Sequence, residues 1–309
     1  MNRSLLWVIG GVFAVLLLAS MVTAVLKWKK PNADFSELAN RVKSWWVMVL
    51  MFSLAISIGR SVSIAFFALI SFLALKEYLT MIPTRRVDRR VLFWAYLMIP
   101  LQYLFIVYER YGFFIITIPI YAYLLIPMRI VQIGKVEGFL NAAATIQWGL
   151  MLTVFCISHI AYLLVLEKPS IDSAGGAGLV LYLVILTQTN DVAQYIWGKS
   201  FGKHKVSPTV SPKKTYEGFL GATVTLIPIS ILIYRFLTPL SFYEAIVTAL
   251  MINVFGFIGD ITVSALKRDM GVKDAGSLLP GHGGILDRID SLTYTAPIFF
   301  HFVRFMHYS

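Results

Sequence analysis

The sequence predicts an all-α polytopic membrane protein of about ten transmembrane helices, or nine or eight if early segments merge. Three observations predict it. The 309-residue chain is 58% hydrophobic with a mean hydropathy of +0.75, beyond the range of an ordinary soluble domain. Apolar runs near the ~20 residues that cross a bilayer recur from end to end. Lysine and arginine also alternate between connections. The loops 27–44, 80–90, 129–145, 198–216 and 264–290 carry 5, 4, 2, 5 and 4 of them, while the other connections and the termini carry Arg3, Arg60, Arg110, Lys168 and Arg304. Basic residues collect on the cytoplasmic side, so the five basic loops are expected there and both termini opposite. Topology thus accounts for the formal charge of +11, and no nucleic-acid partner is expected. The single cysteine, Cys156, excludes an internal disulfide.

Spans fall at 4–26, 45–58, 61–79, 91–108, 111–128, 146–166, 179–197, 217–237, 242–263 and 291–307. The first is read as a retained span, because its positive cluster, Lys27 to Lys30, follows the apolar run where a secretion signal would have it first. Phe35, Leu38, Ala39, Val42, Trp45 and Trp46 recur at helical spacing behind a capping pair, Asp34 and Glu37. That spacing predicts an amphipathic helix in the cytoplasmic interface. Val136, Phe139, Leu140 and Ala143 repeat the pattern more weakly. Spans two and three are separated only by Gly59 and Arg60.

An ionisable residue inside a span costs about 2.5–3.5 kcal/mol and calls for a reason. Span seven carries Thr187, Asn190, Asp191 and Gln194 at i, i+3, i+4 and i+7, one stripe of a helix. The stripe is either a polar seam between helices or a cavity wall. The next loop is basic and broken by proline; Lys213 and Lys214 offer ammonium groups to a phosphate, Glu217 opens the following helix, and His204 is expected to be solvated. Span nine ends in Asp260. A continuing helix would place Ser264, Lys267 and Arg268 on the same face, running from a carboxylate to two cations. Asp287 and Asp290 share a face at the last helix, with Arg288 between them. Three carboxylates suit a hard cation such as Mg²⁺, which takes a few of them plus water and substrate phosphate. Between them, Pro280 to Gly284, with His282, Gly283 and Gly284, exposes backbone amides to an anion. No cysteine or histidine cluster suggests zinc.

The segment 264–290 resembles the C-terminal motif of the phosphatidate cytidylyltransferases, the CDP-diacylglycerol synthases. The resemblance rests on Ser264, Lys267-Arg268, Lys273-Asp274, the Pro-x-His-Gly-Gly run and Asp287-Arg288-x-Asp290. Asp191 with Gly198-Lys199, and the run from Ser211 to Gly218, are similar to the family too; the first 170 residues match only as generic spans. Two positions depart from the pattern: Val263, where the family has glutamate, and Ala275, where it has serine. The resemblance implies an N-terminal transmembrane region, 1–170, and a C-terminal catalytic region, 171–309. It implies a homodimeric enzyme of a bacterial cytoplasmic membrane that joins CTP and phosphatidic acid into CDP-diacylglycerol and pyrophosphate. Asp260, Asp287 and Asp290 would hold Mg²⁺, a second cation being left open. Lys213, Lys267, Arg268 and Lys273 would hold phosphates. Asp191, Lys214, Ser264, His282, Gly283, Gly284 and Arg288 would line the substrate site. Asp287→Asn or Asp290→Asn is then expected to stop pyrophosphate release without loss of folding. The rival readings are a CTP-using lipid-alcohol kinase, which would release CDP, and a non-enzymatic transporter.

Overall fold

The computed structural model describes residues 3–29, 35–83, 89–166, 174–276, 278 and 283–308. Seven long helices come first: α1 (Arg3–Lys29), α2 (Ser36–Ile58), α3 (Arg60–Met81), α4 (Arg89–Val107), α5 (Tyr111–Val131), α6 (Phe139–Leu163) and α7 (Gly175–Phe201). A hairpin of β1 (Lys205–Ser207) and β2 (Ser211–Thr215) follows, then α8 (Tyr216–Leu237) and α9 (Phe242–Asp269). The short α10 (Leu286–Ile289) and α11 (Leu292–His307) complete the fold. Among the described residues, nine helices, α1 to α9, are long and apolar enough to cross a membrane. This is an all-α polytopic membrane protein.

The tenth segment is present but short. Ser291 and Asp290, just before α11, lie against Gly259 of α9, and His307 at the far end bonds Glu244 in the first turn of α9 at 3.1 Å. The two helices therefore run antiparallel past one another over the same depth. Contacts mark the two ends of the bundle. Arg60 pairs with Glu109, and Arg304 stacks on Tyr111 at 3.7 Å, at one end. Lys214 meets Asp260 and Arg268 reaches Val210 at the other.

Two local expectations change, the separate interfacial helix and the loop after α7. The separate interfacial helix before residue 45 is continuous with the second span, because no breaker interrupts Ser36–Ile58 and a helix once nucleated propagates. Trp46 bonds Ser20 of α1 at 2.9 Å; Asp34 lies outside the described residues. Gly59 (φ 153°) divides α2 from α3. The loop after α7 pairs into a hairpin, and α9 continues beyond the span to Asp269. In α5 and α6 the helices widen to π-turns at Thr117–Ala122 and Met151–Phe155. Gln147 donates to the Ile118 carbonyl at 3.0 Å, and Gln102 to that of Phe114 at 3.1 Å, satisfying groups the widened turns leave.

Glycine sets the helix separations in the C-terminal region, where lipid supplies no hydrophobic drive between helices and close backbone approach must. A Cβ at Gly218 of α8 would lie 2.7 Å from the Gln194 carbonyl of α7, and one at Gly221 would enter the Trp197 ring. On α9, a Cβ at Gly256 would meet the Asn190 amide at 2.9 Å, and one at Gly259 the Asp290 carbonyl at 2.7 Å. These contacts draw α7, α8, α9 and the α10–α11 junction around one polar region.

Candidate active site

The region is built from the inner ends of those elements. Asn190, Asp191 and Gln194 come from α7, Lys214 from β2, Asp260, Ser264 and Lys267 from α9, and Asp287 to Ser291 from the junction. Thr215 fixes the hairpin to α8 as an N-cap, its hydroxyl accepting from Gly218 N at 3.1 Å. Glu217 closes the turn before the hairpin by accepting from Lys203 N and His204 N. The His204 ring is exposed, as expected, but also pairs with Glu217 at 2.6 Å.

Lys214 is the centre of charge. Its Nζ donates to Asp260 Oδ2 at 2.6 Å and to Gln194 Oε1 at 2.7 Å, and it feels Asp191 and Asp290. Burial opposes its ammonium form, yet Asp260 and Asp191 outweigh burial and hold its pKa above the ordinary value. Asp191, Asp260 and Asp290 interact electrostatically with one another. Asp260 Oδ1 accepts from Ser264 at 3.2 Å, Asp191 Oδ1 from Ser291 Oγ at 2.9 Å, and Asp290 Oδ1 from Ser291 N at 2.8 Å. The face from Asp260 through Ser264 to Lys267 is thus continuous, as the helical spacing predicts.

Asp287 is differently employed. Its Oδ1 takes Lys267 Nζ at 2.7 Å, and its Oδ2 takes the backbone amides of Ala275 at 2.8 Å and Gly284 at 2.9 Å. The glycine-rich run therefore offers at least Gly284 N–H to this carboxylate, and Gly283 turns with φ 79° beside it. His282 lies outside the described residues. Among the described residues no three His, Cys, Asp or Glu side chains are grouped as a metal holder, so the expected trio of 260, 287 and 290 is not gathered as one. The physical reason is that Lys267 and two amides already satisfy Asp287, whereas Asp191 joins Asp260 and Asp290.

The carboxylates of Asp191, Asp260 and Asp290 are the donor type a hard cation takes, although Lys214 Nζ already bonds Asp260. The cluster also contains an orphan: the Asn190 amide, fully buried beside Asp191, has no hydrogen-bonding partner among the described residues for either its nitrogen or its oxygen. A buried amide in that state marks a place for a polar guest.

Other predicted residues are placed as follows. Lys213 and Lys273 are exposed. Arg268, also exposed, bonds the carbonyls of Val210 at 3.3 Å and Val272 at 3.2 Å, tying α9 to the hairpin turn. Val263 and Ala275, the two departures, are both buried. The polar stripe of α7 divides: Thr187 bonds Thr295 of α11 at 3.2 Å as a helix seam, while Gln194 serves Lys214. Arg288 borders an apolar cavity of about 270 Å³ that includes Met51, Phe67, Ile70, Leu73, Val184 and Ile289. Two participants escaped the sequence reading. Ser291 carries no distinguishing spacing. Glu77, whose carboxylate accepts Leu286 N at 2.9 Å, was detectable as a lone acid near the inner end of an apolar span.

A multi-span bundle with acidic and basic side chains assembled at one end defines a class, the integral membrane proteins with a charged site built from several helices. Within it the particular family is plain. The family model described as "Cytidylyltransferase family" matches residues 39–306, and this chain belongs to that family. It is 47% identical over 300 residues to "Uncharacterized protein YnbB" of Escherichia coli K12, covering 97% of this chain and 98% of that protein. Phosphatidate cytidylyltransferases of Staphylococcus haemolyticus and Haemophilus influenzae are 34% and 38% identical over 154 and 146 residues. Those alignments cover 49% and 46% of this chain and 59% and 51% of theirs, so the chain matches little more than half the length of these relatives.

Proposed function

We propose that this protein transfers the cytidylyl group of CTP to phosphatidic acid, giving CDP-diacylglycerol and pyrophosphate. One observation carries the reading: Asp290, a member of the polar cluster with Asp191, Asp260 and Lys214, lies on the same short segment as Arg288, which borders an apolar cavity. A lipid phosphate and a nucleotide triphosphate need such a meeting place, one charged and one apolar.

A lipid phosphate oxygen attacks the α-phosphorus of CTP. The new P–O bond forms as the bond from that phosphorus to the bridging oxygen breaks, and pyrophosphate leaves with the electron pair. The attacking monoester has a second pKa of about 6 and is largely dianionic at neutral pH, so no strong base is required. Repulsion between two polyanions is the main barrier, and positioned cations lower it. Lys214, fixed by Asp260 and Gln194, supplies one positive charge inside the cluster. Lys213 and Lys273, free of the bundle interior, meet the outgoing pyrophosphate from the aqueous side. Arg288 takes the lipid phosphate while the acyl chains extend along the cavity lined by Met51, Ile70 and Leu73. Mg²⁺, when bound, would be held by Asp260 and Asp290 with Asp191 beside them, and would supply Lewis-acid charge to the phosphate oxygens.

Incubating the purified protein with Mg²⁺, CTP and either phosphatidate or diacylglycerol, and weighing the products by mass spectrometry, tests this. CDP-diacylglycerol with pyrophosphate, from phosphatidate, is the expected result. Free CDP with a phosphorylated lipid would replace the reading with a kinase, and absence of both would refute it.

A further inference from the structure

We propose that Glu77 of α3 is a positioning residue for the transfer site: its carboxylate anchors Leu286, against Gly276 and Gly284, and thereby sets Asp287 and Asp290. The proposal rests on the reading above for the reaction, while the anchoring has its own readout.

Glu77 stands near the inner end of an apolar span, half-buried, where a carboxylate needs a polar reason. It finds one 209 residues away. Its Oε2 accepts the backbone N–H of Leu286, the first residue of α10, at 2.9 Å. The segment closes round it so tightly that a Cβ at Gly284 would lie 2.3 Å from Oε2, and one at Gly276 2.8 Å from Oε1. Neither glycine has a left-handed backbone, in contrast to Gly283 at φ 79°. Their missing side chains therefore serve space for this carboxylate and not backbone freedom. Asp287 grips the same segment through the amides of Ala275 and Gly284. Two carboxylates thus hold the amides of Ala275, Gly284 and Leu286, one carboxylate from Asp287 of α10 and one from the N-terminal half of the chain. An apolar side chain at 77 would fill the space but leave Leu286 N–H buried without an acceptor, which is costly. Asp290 follows within one helical turn of Leu286, so a shift at the anchor is delivered to the cluster at Asp191 and Asp260.

The test uses the full chain in lipid nanodiscs, with three variants and two readouts. Glu77→Ala should raise hydrogen exchange of the 283–287 amides by about 10-fold or more. It should lower kcat by about 10- to 100-fold, as small misplacements do, with the KM for CTP changed less than about 3-fold. Glu77→Gln keeps an acceptor oxygen and should restore both to within a few-fold of the starting protein. Gly284→Ala should be harmful alone yet add nothing to Glu77→Ala, because the clash partner is gone. Unchanged exchange in Glu77→Ala overturns the anchor, and raised exchange with unchanged kcat overturns its role in transfer. A chain that makes no CDP-lipid at all refutes the reaction instead, and leaves the exchange result standing by itself.

Discussion

Asparagine at position 287 preserves shape, removes one charge and turns one oxygen into a donor. In the folded protein both oxygens are engaged, Oδ1 by Lys267 Nζ at 2.7 Å and Oδ2 by the amides of Ala275 and Gly284. Whichever way the new amide is turned, its NH₂ confronts either an ammonium or two backbone N–H groups. Lys267, only 8% exposed, also loses its counter-charge. Breaking a buried pair of this kind costs roughly 3–5 kcal/mol, against a total stability of about 5–15 kcal/mol for a typical domain. Intrinsic fluorescence of the seven tryptophans, followed on heating in detergent, should show Asp287→Asn melting at least ~5 °C lower. Lys267→Met should do the same, and the double variant should recover much of the loss, since neither partner is then stranded. Should Asp287→Asn melt with the parent and lose only turnover, the structural role assigned here is wrong, and Asp287 returns to the list of metal ligands.

The remaining predictions separate chemistry from architecture. Asp290→Asn should reduce product formation by about 10²-fold or more, with the melting temperature within a few degrees of the parent; circular dichroism and pyrophosphate release check it. Lys214→Gln should lower kcat/KM for CTP by roughly 10- to 100-fold, because it removes a charge-assisted contact worth about 1.5–3 kcal/mol; steady-state kinetics with varied CTP decide. Leu73→Trp, in the apolar cavity, should raise the KM for phosphatidate several-fold and leave that for CTP alone; equal rises in both would remove the cavity from the lipid path. Gly218→Val, with its Cβ 2.7 Å from the Gln194 carbonyl, should cost ~1–3 kcal/mol or more and show as a lowered melting temperature.

The polytopic helical fold was legible because burying apolar side chains in lipid needs nothing beyond local composition and length. The tenth predicted segment forms the helix α11, but at 16 residues it is shorter than the nine described helices that are long and apolar enough to cross a membrane. Helix periodicity gave the face from Asp260 to Lys267, since those residues share one unbroken helix. The hairpin was not legible: residues 205–215 lack alternating apolar residues, and their pairing is stabilised by Thr215, Glu217 and the helices they join. Nor was the merging of the interfacial segment with α2, where amphipathic spacing competed with simple helix continuation.

Within the polar cluster, the sequence by itself determined which residues have chemistry to offer: acids, lysines and glycines placed where lipid-embedded helices end. Spacing along one helix is a local property and can be read from the chain. Only the tertiary structure decided how the acids are shared out. Asp287 went to Lys267 and two amides, Asp191 came from α7 to stand with Asp260 and Asp290, and Glu77 crossed from α3 to hold the loop. Which oxygen meets which nitrogen depends on how closely glycine faces let separate helices approach, and that distance is a relation between elements which no one-dimensional pattern contains.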